Sequence, residues 1–154
     1  MPASSSPSVN ILLAAVPGAP NAARRGVRAL ARDRVGDLHA VELAVSEAVS
    51  NAVVHAYRDR EPAAGPGRIQ VTAVVRGEEL LVTVTDEGIG MRPRRDSPGA
   101  RVGLALMRTL ADRIEIDEHR GGTRVTLAFG VTPRRRAAPN SAAAGAAQRR
   151  RSAD

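Results

Sequence analysis

The chain reads as a two-layer α+β sandwich, a mixed β-sheet covered on one face by helices. Three observations carry that reading. Apolar residues at Leu38, Val41, Val45, Ala48, Val49, Ala52 and Val53 recur three and four apart, the period of an amphipathic helix with a buried face. Two pairs of short segments alternate apolar and polar residues around tight turns, the mark of two hairpins. The elements fall in the order β-α-α-β-β-α-β-β, so helices and hairpins are mixed along the chain.

Taken in order, residues 8–16 read as a first strand, and Pro17-Gly18-Ala19-Pro20 as a turn. Asn21 is placed to cap a helix running to about residue 34, with Val27, Leu30 and Ala31 inward. Val35-Gly36-Asp37 breaks that helix, and Asp37 serves as N-cap for the central helix over about 38–57. A loop follows at 58–67. Ile69, Val71 and Ala73 alternate in a strand over 68–76, and Leu80, Val82 and Val84 in another over 79–85, with Gly77-Glu78 as the turn. Residues 91–101, with Pro93 and Pro98, read as a mobile loop. A helix over 102–113 turns Leu104, Leu106, Met107 and Leu110 inward, and strands over 114–118 and 123–129 close a single domain spanning 8–131. Residues 1–7 and 132–154 lack core-forming periodicity and read as disordered.

Composition narrows the function classes. The 154 residues contain no Cys, which excludes disulfides and thiolate metal sites and fits a cytoplasmic protein. No apolar run approaches the roughly 18 residues that cross a bilayer, and Val9–Val16 is short, holds Asn10 and has no basic segment before it, so neither a membrane span nor a secretory signal is expected. All basic residues are Arg, so no lysine can bind phosphate or form a Schiff base. Residues 132–154 hold six Arg and one Asp, a net of +5 out of the chain's +7, which leaves the other 131 residues at +2. With one Tyr and one Phe there is no stacking platform for bases, and this weighs against a nucleic-acid-binding protein acting through anything but the Arg-rich tail.

Four patches carry chemistry. On the central helix Glu47, Asn51 and His55 recur every fourth residue, each step advancing by about 40°, so the three line one face over roughly 12 Å. A mid-helix Asn has no reason to be there without a partner. Taken alone, the row also fits a solvent-facing polar stripe. Asp86-x-Gly88-x-Gly90 ends a strand; it fits an ordinary turn, or a buried carboxylate that accepts from a base amino group beside glycines that admit a ligand. Gly99-Ala-Arg101-Val-Gly103-Leu104 lies where loop meets helix, and fits a helix start or a phosphate cradle of backbone N–H groups. Gly122-Thr123 begins the last strand, as any hairpin turn could.

Together and in this order, the patches resemble the four ATP-site boxes of the gyrase/histidine-kinase type (GHKL) ATPase superfamily, over roughly residues 8–130. Within it the chain is most similar to the anti-sigma-factor serine/threonine kinases (RsbW-like), whose helix text it follows closely through Glu-Leu-Ala-Val-Ser-Glu-Ala-Val-Ser-Asn-Ala-Val-Val-His-Ala-Tyr. The resemblance implies a Bergerat-type ATP-binding fold with ATP and Mg²⁺ as cofactors. It implies Glu47 as the general base, Asn51 as the Mg²⁺ ligand, and His55 further along the groove near phosphate. Asp86 would read the adenine amino group with help from Thr123, while Gly88 and Gly90 make room for the nucleotide. Gly103 and Leu104 belong to the second glycine box, and Arg101 and Arg108 are the candidate cations near phosphate. The implied partners are a sigma factor, which the protein sequesters, and an antagonist protein phosphorylated on Ser or Thr; members are often homodimers.

Two features depart from the family pattern. Arg101 stands where the second box has a glycine, and either obstructs the phosphates or supplies charge to them. The segment between Gly90 and Arg101 is short for a lid. The competing reading is the same fold acting as a non-catalytic, partner-sequestering regulator with weak or no ATP binding.

Overall fold

Alternating burial along the strands and a three-to-four period along the helices send the apolar side chains into one shared layer. The computed structural model describes residues 6–57, 60–89, 98–119 and 121–132. Its elements are β1 (Ser8–Ala14), α1 (Ala19–Ala31), α2 (Leu38–Asn51), a π-helical turn (Ala52–Ala56), a 3₁₀ turn (Pro62–Ala64), β2 (Arg68–Arg76), β3 (Glu79–Asp86), α3 (Pro98–Leu110), β4 (Arg113–His119) and β5 (Gly122–Gly130). The sheet order is β1-β2-β3-β5-β4.

The two-layer α+β sandwich stands, but the sheet is not mixed. Each of the four strand pairs is antiparallel. The two hairpins fix β2–β3 and β4–β5 locally. The direction of β1 depends on where α1 and α2 return the chain, which no local pattern encodes. Arg76 pairs with Glu79 across a two-residue turn in which Gly77 has φ 57° and Glu78 has no positive φ, as a type II′ hairpin requires.

α2 runs through the middle of the helical layer, packed against α1 and α3 and touching β3 and β5. Val41, Val45 and Val49 on its inner face are fully buried, and each contributes about 1.5–3 kcal/mol by burial. They meet Ile69 and Val71 of β2, Leu80 and Val82 of β3, Met107 of α3 and Leu127 of β5 in one core. Asp37 caps α2 as expected, its carboxylate accepting from Ala40 N–H at 2.9 Å. Arg28 of α1 and Glu42 of α2 pair at 2.8 Å across the helix junction.

The helices and one loop differ from the sequence reading in detail. α1 starts at Ala19 after Gly18, because Pro20 suits a first turn; Asn21 lies inside the helix, where its side chain accepts from Arg24 at 2.8 Å instead of capping. The α-helical part of the central helix stops at Asn51 and not near 57. α3 spans 98–110 and not 102–113: Pro98 opens a helix as readily as it marks a loop. The 58–67 loop contains the 3₁₀ turn. The disordered stretches read at 1–7 and 132–154 and the loop read at 91–101 fall mostly outside the described residues, and 98–101 belong to α3. Among the described residues no helix is long and apolar enough to cross a membrane.

Candidate functional site

The core-facing alternation of β3 does not end with apolar residues. It continues from Leu80, Val82 and Val84 into Asp86, and on β5 the row from Leu127 through Val125 ends in Thr123. Asp86 and Thr123 are register partners, so two polar side chains occupy core positions side by side at one end of the sheet. Asp86 is 6 % exposed and Thr123 2 %. The Asp86 Oδ1 accepts from Gly88 N–H at 3.0 Å and from Thr123 N–H at 3.3 Å, which fixes the carboxylate in place.

The glycines around this carboxylate are needed by the protein itself. A Cβ at Gly122, where φ is 149°, would stand 1.8 Å from the backbone oxygen of Asp86. At Gly88 it would stand 2.2 Å from the backbone oxygen of Ala56, and Ile89 N–H donates to that same oxygen at 3.0 Å. The third and first glycine boxes therefore bring the strand ends against each other and against the end of the π-helical turn.

Glu47 and Asn51 lie one helical turn apart on α2. Asn51 is 7 % exposed, and among the described residues its amide Nδ2 has no hydrogen-bond partner. An unsatisfied buried amide costs about 1–3 kcal/mol, so this atom is held ready for something that accepts. The straight row stops here. His55 belongs to the π-helical turn, where the four-residue spacing no longer keeps one face, yet its half-buried side chain still reaches the recess described below. Gly103 lies in the second turn of α3, not in a loop. A Cβ there would stand 3.0 Å from Glu47 Oε2 and 3.4 Å from Asn51 Oδ1. Leu104 packs on the core, while Arg101 and Arg108 are exposed on the same helix. Gly90 lies outside the described residues.

Asn51, His55, Asp86 and Thr123 share one recess between the helical layer and the end of the sheet, with about 280 Å³ of free space, part of it open to solvent. Its remaining walls are Ala48, Ala52, Ala56, Val84 and Val125. Asn51, Asp86 and Thr123 are also the buried polar side chains of the described residues. Small apolar walls with a fixed carboxylate at one end and an amide at the other suit a flat ring with a polar edge and a charged extension. Among the described residues no three of His, Cys, Asp and Glu gather to hold a metal, so a cation here would take most of its ligands from phosphate and water.

Tyr57, in the sequence reading simply the end of a helix, bonds to the turn that follows Asp86. Its hydroxyl accepts from Glu87 N–H at 2.8 Å and donates to the Arg68 carbonyl. Burial, with the Asp86 and Glu87 carboxylates nearby, pushes its phenol above the ordinary value of 10.0. Its rarity was the available signal, since the chain has one Tyr.

The sequence pattern of the histidine kinase-like ATPase domain matches residues 13–129 of this chain. The chain belongs to that family. Among curated proteins, this family member is 30 % identical over 105 residues to the anti-sigma F factor of Clostridium beijerinckii, covering 60 % of this chain and 71 % of the relative. It is 33 % identical over 99 residues to the anti-sigma F factor of Clostridium acetobutylicum, covering 56 % and 66 %. Among solved structures, the domain matches the crystal structure of the RsbU and RsbW domains of a Mycobacterium tuberculosis protein with TM-score 0.63 and 28 % identity. That match covers 83 % of this chain and 34 % of the other, so this ATPase-family domain spans about a third of the crystallised protein. The resemblance read from the four boxes is therefore shown, and the two-layer fold with it.

Proposed function

We propose that this protein is an ATP-dependent anti-sigma factor with serine/threonine kinase activity, which holds a sigma factor and phosphorylates an antagonist protein. The observation that carries the reading is the coincidence of burial and motif. Asn51, Asp86 and Thr123 are buried, line one recess and fall in three of the four ATP boxes. The named relatives are anti-sigma F factors, which supplies the biological role. Such a role belongs in the cytoplasm, and homodimer assembly is part of the same proposal.

In this reading Asp86 Oδ1 is held by two backbone N–H groups so that the carboxylate meets the adenine amino group at a fixed angle, with Thr123 beside it. The alanine and valine walls exclude water from the ring. Asn51 offers a hard, neutral oxygen for Mg²⁺, which when bound would neutralise phosphate charge. Glu47 takes the proton from the acceptor hydroxyl as that oxygen bonds to the γ-phosphorus. The bond from the γ-phosphorus to the β,γ-bridging oxygen breaks, and ADP leaves with that oxygen. Arg101 is exposed on the first turn of α3, so it is available to phosphate and does not fill the recess.

Transfer of labelled γ-phosphate to candidate antagonists tests this directly. Glu47→Gln removes the base and should slow transfer by about 10²–10⁴-fold while ATP affinity stays close to wild type. Transfer by Glu47→Gln at the wild-type rate would contradict the assigned role. ATP binding with no transfer to any antagonist would leave sequestration without catalysis.

A further inference from the structure

The end of the π-helical turn is tied to two separate pieces of the chain, the start of β2 and the turn after β3. Tyr57 hydroxyl bridges the Glu87 N–H, at 2.8 Å, and the carbonyl of Arg68, the first residue of β2. Its ring lies over Gly67, where a Cβ would come within 2.2 Å of Cε1. The Gly67 carbonyl in turn accepts from Ala15 N–H at 2.8 Å, just after β1. One residue earlier, the Ala56 carbonyl accepts from Ile89 N–H at 3.0 Å and leaves room opposite it only for a glycine at 88. Residues 87–89, which follow Asp86 directly, are thus held by residues 56 and 57. On the same turn the Asp86 carboxylate accepts from Gly88 N–H and lines the recess.

We propose that Tyr57 is a positioning residue for the base end of the recess: its phenol ties the Asp86–Ile89 turn to the start of β2 and so sets where the Asp86 carboxylate meets a purine amino group. The inference rests on the ATP reading of the recess. The hydroxyl acts through the Glu87 amide on a neighbouring carboxylate and touches no nucleotide. It is both donor and acceptor here, and the Phe ring can be neither.

Two variants separate this role from general support of the fold. Tyr57→Phe keeps the ring over Gly67 and deletes the hydroxyl. Gly67→Ala keeps the hydroxyl and pushes the ring out of place. In both, nucleotide-free amide exchange at Glu87 should quicken about tenfold while that of Ala111, at the far end of α3, stays unchanged. ATP affinity measured by calorimetry should fall about tenfold, and affinity for inorganic tripolyphosphate, which has no base, should stay within about twofold. Equal weakening of both ligands would mean a loosened fold and overturn the assignment, as would unchanged exchange at Glu87. If the wild type binds no ATP, the reading of the recess fails by itself, and the exchange rates at Glu87 still decide whether Tyr57 ties the turn.

Discussion

The two ends of the recess are built differently. At the Asp86 end the polar atoms are already held by the protein: two backbone N–H groups on one carboxylate oxygen, a tyrosine behind the turn, and glycines forced by contacts of protein with protein. At the Asn51 end a buried amide nitrogen has no partner among the described residues, and Gly103 of α3 leaves open the space beside Glu47 and Asn51. One end is finished by folding, and the other is finished by whatever binds. A ring-shaped ligand group needs a fixed edge to be recognised, whereas phosphates with a metal bring their own charge and ligands.

The same substitution at each end should therefore have opposite consequences. Gly122→Ala drives a Cβ into the Asp86 backbone from a positive φ, and should cost about 3 kcal/mol or more in urea unfolding. Gly103→Ala meets only the tips of two side chains inside a helix that favours Ala by about 0.8–1 kcal/mol, so stability should change by less than about 1 kcal/mol. ATP affinity should nonetheless fall in Gly103→Ala, because the methyl group takes the space beside Glu47 and Asn51. A strongly destabilised Gly103→Ala, or a Gly122→Ala of unchanged stability, would break the comparison.

Smaller effects sharpen it. Asp37→Ala removes the cap of the helix that carries Glu47 and Asn51, and should cost about 1 kcal/mol by thermal or urea unfolding. The pH dependence concerns the finished end. The Tyr57 phenol titrates above 10.0 in the folded protein, chiefly because it is buried, so the folded state holds its proton where the unfolded chain has lost it. That contribution is complete below pH 10 and disappears as pH rises through the folded value. The difference in unfolding free energy between wild type and Tyr57→Phe should shrink over that alkaline window and stay flat below it. With one Tyr in the chain, an ultraviolet titration follows this group alone.

Much of the Asp86 end was legible in the sequence because its logic is local. Ile69 to Ala73 and Leu80 to Val84 alternate in the text as they do in the sheet, and Asp86 falls on the same two-residue beat. Asp37 stands at the cap position that its residue type predicts. The rest depends on contacts distant in sequence. Past Asn51 the helix is π-helical and ends where Ala56 and Tyr57 meet residues 87–89, thirty or more positions away, and the apolar period shows no break there. Pro98 admits both a loop and a first helical turn. The spatial neighbours of β1 follow from the packing of two helices, so the antiparallel sheet was read as mixed. For the same reason the sequence shows Gly88 only as room for a ligand and does not show that the Ala56 backbone also needs the space its side chain would fill.

The most direct test of the account is calorimetry of ATP with and without Mg²⁺, on wild type and on Asn51→Ala. The account predicts binding that depends on Mg²⁺ in the wild type and is lost in Asn51→Ala, while the ligand-free variant unfolds near the wild-type midpoint because the buried amide nitrogen it loses has no hydrogen-bond partner among the described residues. At ATP near 100 times Kd the wild type alone should gain about 2.7 kcal/mol. No binding by the wild type at millimolar ATP, or equal binding by Asn51→Ala, would contradict it.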